Sequence, residues 1–321
     1  MLPQTSWQLH EFEMALAHTP VLLEESVDLL HPAEGEVAVD CTFGAGGHAE
    51  AVAARLGPTG VLVAIDRDPS VADFFRDVTR SAPCECQFYQ GNFAGVLATR
   101  EEASADMVFM DLGVSSMQLD RRERGFSYAY DAPLDMRMDP ELEVSAAHLV
   151  NTLSADALTD IFRRYGEERY AKSIACGIVA AREKQPISTT CELVEIIKRR
   201  IPTPARFAAG NPARRVFQAL RIVVNDELHS LARGLDEAFR VLKPGGRLAA
   251  ISFHSLEDRM VKGFFRDRAA GCICPPGLPQ CACGHEPTMR LLTRRAVTPT
   301  AREIEVNPRG KSAKLRVAVK L

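Results

Sequence analysis

A chain of 321 residues is long for one domain and comfortable for two. Its 46% hydrophobic and 25% charged residues are ordinary for a globular protein, and no apolar run approaches the roughly 20 residues that cross a bilayer, which excludes a membrane-spanning helix. Net charge is only −3, and nine cysteines without an export signal argue for reduced thiols in a cytoplasm rather than a disulfide framework.

Residues 1–17 lack a basic segment and carry Glu11 and Glu13, so they read as neither a signal nor a transit peptide. A poorly ordered N-terminal extension is expected there. The run VAVDCTFGAGGH (Val37–His48) then passes from an apolar strand into a glycine-rich turn, and a helix-like run, Ala49–Leu56, follows. Glycines at a strand's carboxyl end let backbone N–H groups approach a ligand. A second strand, Val61–Asp66, follows the turn Gly57-Pro58-Thr59-Gly60 and ends in a carboxylate placed to accept hydrogen bonds from both hydroxyls of a ribose. These features predict an adenosine-containing cofactor on a doubly wound α/β sheet. Gly44-x-Gly46-x-x-Ala49, with Asp66 about 20 residues on, also satisfies the loose dinucleotide fingerprint. At this point a nicotinamide cofactor and S-adenosylmethionine are both open.

Helical runs over 71–80 and 94–102 flank a short strand, Gln87–Tyr89, and a fourth strand ends at Met107–Asp111. This βαβα rhythm predicts a parallel sheet covered on both faces. It stops near Ser145. Helices are predicted over Ala155–Tyr165, Glu168–Lys184, Thr190–Arg200 and Pro212–Val241, with a cap in Ser188-Thr189-Thr190 and a break at Pro202-Thr203-Pro204. They read as an inserted helical domain. The sheet resumes over Arg247–Phe253, and a helix over Ser255–Ala269 follows with Ser255 as its cap. The chain is expected to close in an antiparallel hairpin, with strands near Arg302–Val306 and Leu315–Lys320 joined by Asn307-Pro308-Arg309-Gly310.

Charge is divided unevenly. Residues 1–159 carry 9 Lys and Arg against 26 Asp and Glu, and residues 160–321 carry 30 against 16. The basic excess recurs over 160–221 and 286–321, which points to a polyanionic partner, nucleic acid, for the second half.

Ligands of open α/β sheets bind beyond the carboxyl ends of the strands. Those ends bring forward the glycine turn, Asp66, Phe93 as an apolar surface for an adenine, Asp111, and Ser252-Phe253-His254-Ser255, which could hold a flat base. Gln118 is placed to reach back toward a cofactor. Cys41, Cys176 and Cys191 sit in apolar runs and are expected in the core. Cys272, Cys274, Cys281 and Cys283, with His285 close behind, are the one candidate metal cluster. Their C-x-C spacing is tighter than that of usual zinc sites, so no metal is expected, and Pro275-Pro276-Gly277-Leu278-Pro279 between the pairs reads as a rigid loop.

Taken together, HTPVLLEE (His18–Glu25), DCTFGAGGHA (Asp40–Ala49), the DLGVSS–QLD run (Asp111–Asp120), RGFSY (Arg124–Tyr128), PLDMRMD (Pro133–Asp139), FQALRIVVNDEL (Phe217–Leu228), LKPGGRLAAISFHSLEDR (Leu242–Arg259) and NPRGKSAKLR (Asn307–Arg316) resemble the bacterial 16S ribosomal RNA cytosine-N4 methyltransferase family, MraW. The resemblance covers residues 18–321. It implies a class I methyltransferase fold, a Rossmann-like sheet split by an all-helical insert. The implied catalytic domain is 18–140 with 241–321, and the implied substrate-recognition insert is 141–240. The implied methyl donor is S-adenosylmethionine, held by Gly46, Gly47, His48, Asp66, Phe93, Asp111 and Gln118. The implied substrate is a cytidine of the decoding region in 16S ribosomal RNA of the small subunit. The amine attacked is a poor nucleophile, so acceptors for its protons are expected, with Ser252 and His254 as the catalytic candidates. Arg199, Arg200, Arg206, Arg214 and Arg215 of the insert, and Arg309, Lys311, Lys314 and Arg316 of the tail, are expected to hold the RNA backbone. The oligomeric state stays open, a homodimer included.

Overall fold

The computed structural model describes residues 20–206, 211, 213–274 and 283–321. The chain forms two compact units, 1–113 with 230–321, and 114–229.

The first unit is built on a seven-stranded sheet: β1 (Val37–Asp40), β2 (Val61–Asp66), β3 (Glu85–Gln90), β4 (Ala105–Asp111), β5 (Leu242–Ser252), β6 (Met289–Leu291) and β7 (Lys314–Lys320). Their order is β3-β2-β1-β4-β5-β7-β6. The first five are parallel, and β7 runs antiparallel between β5 and β6. Around it stand α1 (Leu23–Leu30), α2 (Gly47–Leu56), α3 (Ala72–Ser81) and α4 (Phe93–Ala98).

Alternation along the strands divides the sheet into two faces. Val39, Val63, Ile65, Val108, Met110, Leu248 and Ala250 pack with Phe93, Ala94 and Leu97 of α4 and with Leu231, Leu235, Ala238 and Val241. On the opposite face Leu30, His48, Ala49 and Val52 of α1 and α2 lie over Ala38, Leu62, Met107 and Phe109. Asp40, Asp66 and Asp111, the last residues of their strands, share the parity of this second face.

The second unit is helical: α5 (Ser116–Asp120), α6 (Ala146–Thr152), α7 (Ala155–Arg164), α8 (Ala171–Arg182), α9 (Thr190–Arg200), α10 (Thr203–Arg206), α11 (Ala213–Val224) and the start of α12 (Glu227–Val241). Its core joins Leu158, Phe162, Ile174, Ile178, Leu193, Ile197, Val216 and Leu220 to Phe126, Leu134, Met136 and Met138. That apolar segment explains why the unit begins at Val114 rather than near 141. Leu231 and Leu235 belong to the sheet core, which explains why it ends at His229 rather than 240.

Several elements differ from the sequence expectation. Residues predicted as the first hairpin strand, Arg302–Val306, form helix α14 (Ala301–Val306), whose first turn is capped by the Thr300 hydroxyl accepting from the Glu303 N–H at 3.2 Å. The antiparallel partner of β7 is β6 instead. The single helix expected over Pro212–Val241 breaks at Asn225 and Asp226, where Asp226 takes a left-handed φ of 49°. The cap of α13 (Ser255–Arg268) is His254, not Ser255. Thr189 caps α9 in a reciprocal box with Glu192, inside the predicted triplet. Cys41 is buried as expected, but Cys176 and Cys191 are exposed, because they fall on the solvent side of their helices. The Cys281 and 275–279 expectations, like residues 1–17, lie outside the described residues.

Asn225 fastens the apolar segment to the helices. Its amide donates to the Met136 carbonyl at 2.8 Å and to the Arg221 carbonyl at 2.9 Å, and its Oδ1 accepts from the Met138 N–H at 2.7 Å. The side chain is buried, so Asn225→Ala strands both a donor and an acceptor. The variant is expected to lose about 2–4 kcal/mol of stability in the helical unit, read by urea denaturation.

Candidate active site

The parallel strands β1, β2 and β4 end in Asp40, Asp66 and Asp111 at one edge of the sheet. The glycine turn crosses that edge. Gly46 has φ of 83°, and a Cβ there would stand 2.7 Å from the Phe43 ring; a Cβ on Gly47 would stand 2.3 Å from Pro20 Cγ. Neither position admits a side chain, and α2 starts there with no side-chain cap on its first N–H groups.

The three carboxylates are held differently. Asp66 Oδ2 accepts from the Gly44 N–H at 2.8 Å, and Oδ1 accepts from the Asp68 N–H at 2.9 Å. Burial raises its pKa, and those two N–H bonds oppose the rise. Asp40 is buried and accepts only from the Thr42 N–H, at 3.0 Å. Burial, with the Asp66 charge adding to it, pushes Asp40 up to about 7. Asp111 is pushed up to about 8, by burial first and then by the charges of Asp40 and Glu257. Its Oδ1 is buried without a hydrogen-bond partner. The Thr42 hydroxyl accepts from the Asp111 N–H at 2.6 Å and ties the two strand ends together.

His48 lies over this edge. Its Nε2 stands 3.0 Å from the Val21 carbonyl, which can only accept, so Nε2 carries the proton and Nδ1 faces Asp111 Oδ2 at 3.8 Å. Burial depresses its pKa to about 4, so the ring is neutral at physiological pH. An acidic edge with one unpartnered carboxylate oxygen suits a ligand bearing positive charge and hydrogen-bond donors.

The other expected residues fall as follows. Phe93 starts α4 under the cap of Asn92, and its ring packs so closely on Gly234 that a Cβ there would stand 2.1 Å away. Ser252 ends β5, is buried, and donates to the Lys314 carbonyl at 3.5 Å. His254 Nδ1 accepts from the Glu257 N–H at 3.3 Å, and Nε2 lies 3.1 Å from Glu257 Oε1. Glu257 Oε2 accepts from the N–H groups of Phe253 and His254. The acceptor nitrogen of His254 is therefore already engaged, and its side chain, like that of Ser252, fixes the turn that carries Phe253. The Ser252 hydroxyl oxygen keeps its own lone pairs, and His254 Nε2 is buried without a hydrogen-bond partner. Phe253 itself lies beside Gly113, 3.6 Å from where a Cβ would be. Gln118 belongs to the second unit, where its Oε1 accepts from the Ser115 N–H in a capping box. Sequence reasoning missed Asp40, Thr42 and Glu257. For Asp40 the signal was present, since it ends an apolar strand as Asp66 and Asp111 do.

The cations divide as well. Arg199, Arg200, Arg214 and Arg215 are exposed on the helical unit, and Arg309 and Lys311 are exposed in the tail. The Arg206 side chain lies outside the described residues. Lys314 and Arg316 are turned onto Asp258 of α13, at 3.0 and 2.7 Å, and Arg316 is nearly buried. Burial pushes Asp258 up, and the Arg316 and Lys314 bonds outweigh it and hold the carboxyl below its ordinary value. These two cations clamp a helix to the sheet, and the Lys314 side chain keeps 43% of its surface exposed. Among the described residues, no helix is long and apolar enough to cross a membrane.

Strand order β3-β2-β1-β4-β5-β7-β6 with one antiparallel strand, over a glycine turn and an acidic edge, defines the class as a Rossmann-like methyltransferase fold. The chain belongs to the MraW methylase family, which matches residues 15–321. It is 49% identical to the ribosomal RNA small subunit methyltransferase H of Symbiobacterium thermophilum, over 96% of this chain and 98% of that protein. It is 48% identical to the protein of the same name from Syntrophotalea carbinolica, over 95% of this chain and 98% of that one.

The raised carboxylates make stability pH-dependent. An acid whose folded pKa lies above its unfolded value stabilises the fold while protonated, fully below pH ~4, and that contribution is lost as pH rises through the folded pKa. For Asp40 and Asp111 the loss extends to about 7 and about 8. Asp111→Asn cannot ionise. Its melting temperature is expected to fall less than that of the wild type between about pH 5 and pH 8.5, measured by calorimetry without ligand.

Proposed function

We propose that this chain transfers a methyl group from S-adenosylmethionine to the exocyclic N4 of a cytidine in the decoding region of small-subunit ribosomal RNA. The observation that carries the reading is the acidic edge with its unpartnered Asp111 Oδ1, in a chain of a methylase family. The names of its relatives support ribosomal RNA as the substrate.

Gly46, Gly47, His48, Asp66, Phe93 and Asp111 would hold the donor. The two glycines keep the turn low and free of side chains. Asp66 offers its remaining lone pairs to ribose hydroxyls. Asp40 and Asp111 supply negative potential for a cationic ligand, and Phe93 forms an apolar wall backed by Gly234. When bound, S-adenosylmethionine supplies an electrophilic methyl on a positively charged sulfur.

The chain's own task is alignment. The cytosine amine has its lone pair delocalised into the ring, so orientation must supply much of the barrier reduction, about 7–11 kcal/mol in the best cases. Phe253, held by Ser252, His254 and Glu257, offers a face on which a base can stack, worth about 1–3 kcal/mol. Main-chain carbonyls at the end of β4 are the acceptors for the amine proton, which becomes acidic only as the new bond forms. The basic helical unit holds the RNA backbone through Arg199, Arg200, Arg214 and Arg215, and Arg309 and Lys311 are further contacts from the tail.

Labelled methyl transfer to small subunits lacking the modification, with nucleoside analysis, tests the reading. N4-methylcytidine is the expected product; another methylated nucleoside, or no transfer, overturns it. Asp66→Ala is expected to weaken donor binding by about 10- to 150-fold, the loss of about 1.5–3 kcal/mol of charge-assisted hydrogen bonds, in a calorimetric titration.

The two sets of cations should separate experimentally. Arg214→Ala is expected to reduce the slope of log affinity for RNA against log salt by about one. Arg316→Ala should leave that slope alone and lower stability by about 1.5–3 kcal/mol, because it removes a charged partner of Asp258.

A further inference from the structure

One cluster of chemistry-bearing side chains has no part in methyl transfer. The ends of the segment between α13 and β6 are joined by the Thr288 N–H donating to the Arg268 carbonyl at 2.8 Å. Just inside those ends, Cys272, Cys274 and Cys283 bring their sulfur atoms within 4.8 Å of one another. The Sγ atoms of Cys272 and Cys283 are 3.7 Å apart, and the Cys274 N–H points at Cys272 Sγ from 3.4 Å. No disulfide joins these three.

Burial does not account for the convergence. Cys272 is exposed, and Cys274 and Cys283 are only half-buried. Ordinary apolar packing therefore gives three thiols from two distant parts of a loop little reason to meet. Thiolate ligation gives one. In a tetrahedral site with metal–sulfur bonds of about 2.3 Å, the sulfur atoms stand about 3.8 Å apart. The 3.7 Å separation matches that spacing. A backbone N–H aimed at a ligating sulfur is the support such a thiolate receives from its second sphere. A disulfide would have to shorten the separation to about 2.05 Å and would leave the third thiol without a role. A structural metal would tie the two ends of the segment between α13 and β6 together.

We propose that Cys272, Cys274 and Cys283 bind a zinc ion as a structural site that closes the loop between α13 and β6. Thiolate sulfur in tetrahedral geometry selects zinc among the divalent ions that lack redox chemistry. Binding releases the thiol protons to solvent as the three metal–sulfur bonds form, with no change of oxidation state.

The test uses the full chain, purified under reducing conditions from zinc-supplemented cells. Elemental analysis after gel filtration is expected to give about one zinc per molecule, and the doubly substituted Cys272→Ser, Cys283→Ser protein less than about a tenth of that. Cobalt in place of zinc should show the visible bands of a tetrahedral thiolate complex in the wild type and lose them in the variant. A measurement on the wild type alone guards against a variant that does not fold. There, chelation is expected to make at least three further thiols reactive to a thiol reagent and to lower the melting temperature. Four results overturn the proposal: no metal with every thiol reactive, zinc lost on gel filtration alone, iron in place of zinc, or a Cys272–Cys283 disulfide found by mass spectrometry.

Discussion

Three carboxylates on one face of one sheet edge are the constraint to which the rest of the site answers. Parallel pairing brings the ends of β1, β2 and β4 to the same side, and the shared parity of Asp40, Asp66 and Asp111 points them into the same space. Water cannot fully solvate them there, so each needs a donor. Asp66 has two backbone N–H groups, Asp40 has one, and Asp111 Oδ1 has none. All three are pushed upward by burial, Asp40 to about 7 and Asp111 to about 8. The edge stores electrostatic imbalance without backbone distortion, the arrangement found where carboxylates serve a function.

Much of this edge was legible in the sequence because it obeys local rules. An apolar strand ending in Asp, a glycine turn and a helix can be read within a dozen residues, and the strand ends then name the ligand edge. The glycine pattern by itself did not distinguish a dinucleotide from S-adenosylmethionine. Only the ordered set of eight motifs across the chain did so. What local reading lost was set by tertiary contact. Helical periodicity runs through Asn225 and Asp226 without interruption, yet the Asn225 side chain is recruited by Met136 and Met138, and the helix breaks there. Residues 302–306 alternate acceptably for a strand, but the Thr300 cap and the pairing of β7 with β6 leave them as a helix. Lys314 and Arg316 looked like tail cations because charge in a sequence carries no direction. Their shared parity on β7 turns both toward Asp258.

The helical unit raises a different question, which is how much of its positive charge its own fold requires. Lys198, Arg199 and Arg200 occupy the last turn of α9, where the helix dipole favours cations by about 0.3–1 kcal/mol. The stem of Arg200 also fills the space over Gly177, where a Cβ would stand 2.5 Å from its Cγ. Arg221 is spent on Glu227 in a two-pronged pair at 2.8 Å. Arg214 and Arg215 are exposed at the start of α11, where the dipole disfavours positive charge, and Arg215 donates to the Glu167 carbonyl at 3.4 Å.

Helix α13 links the chemistry to the rest of the sheet and to the cysteine loop. Its first turn carries Glu257, which gathers the N–H groups of Phe253 and His254, and Asp258, which receives Arg316 and Lys314 from β7. Fourteen residues later it delivers the chain to the cysteines. At 1.5 Å per residue that is about 21 Å, well beyond the ~8 Å over which charge is felt at physiological ionic strength. An ion at the far end therefore has no electrostatic route to the carboxylates. Any influence of a metal there would be mechanical, acting on how firmly the C-terminal end of α13 is held near β6. The same argument separates two kinds of damage: loss of the carboxylates alters how the protein responds to pH and to a cation, and loss of the loop closure alters only how long α13 stays docked.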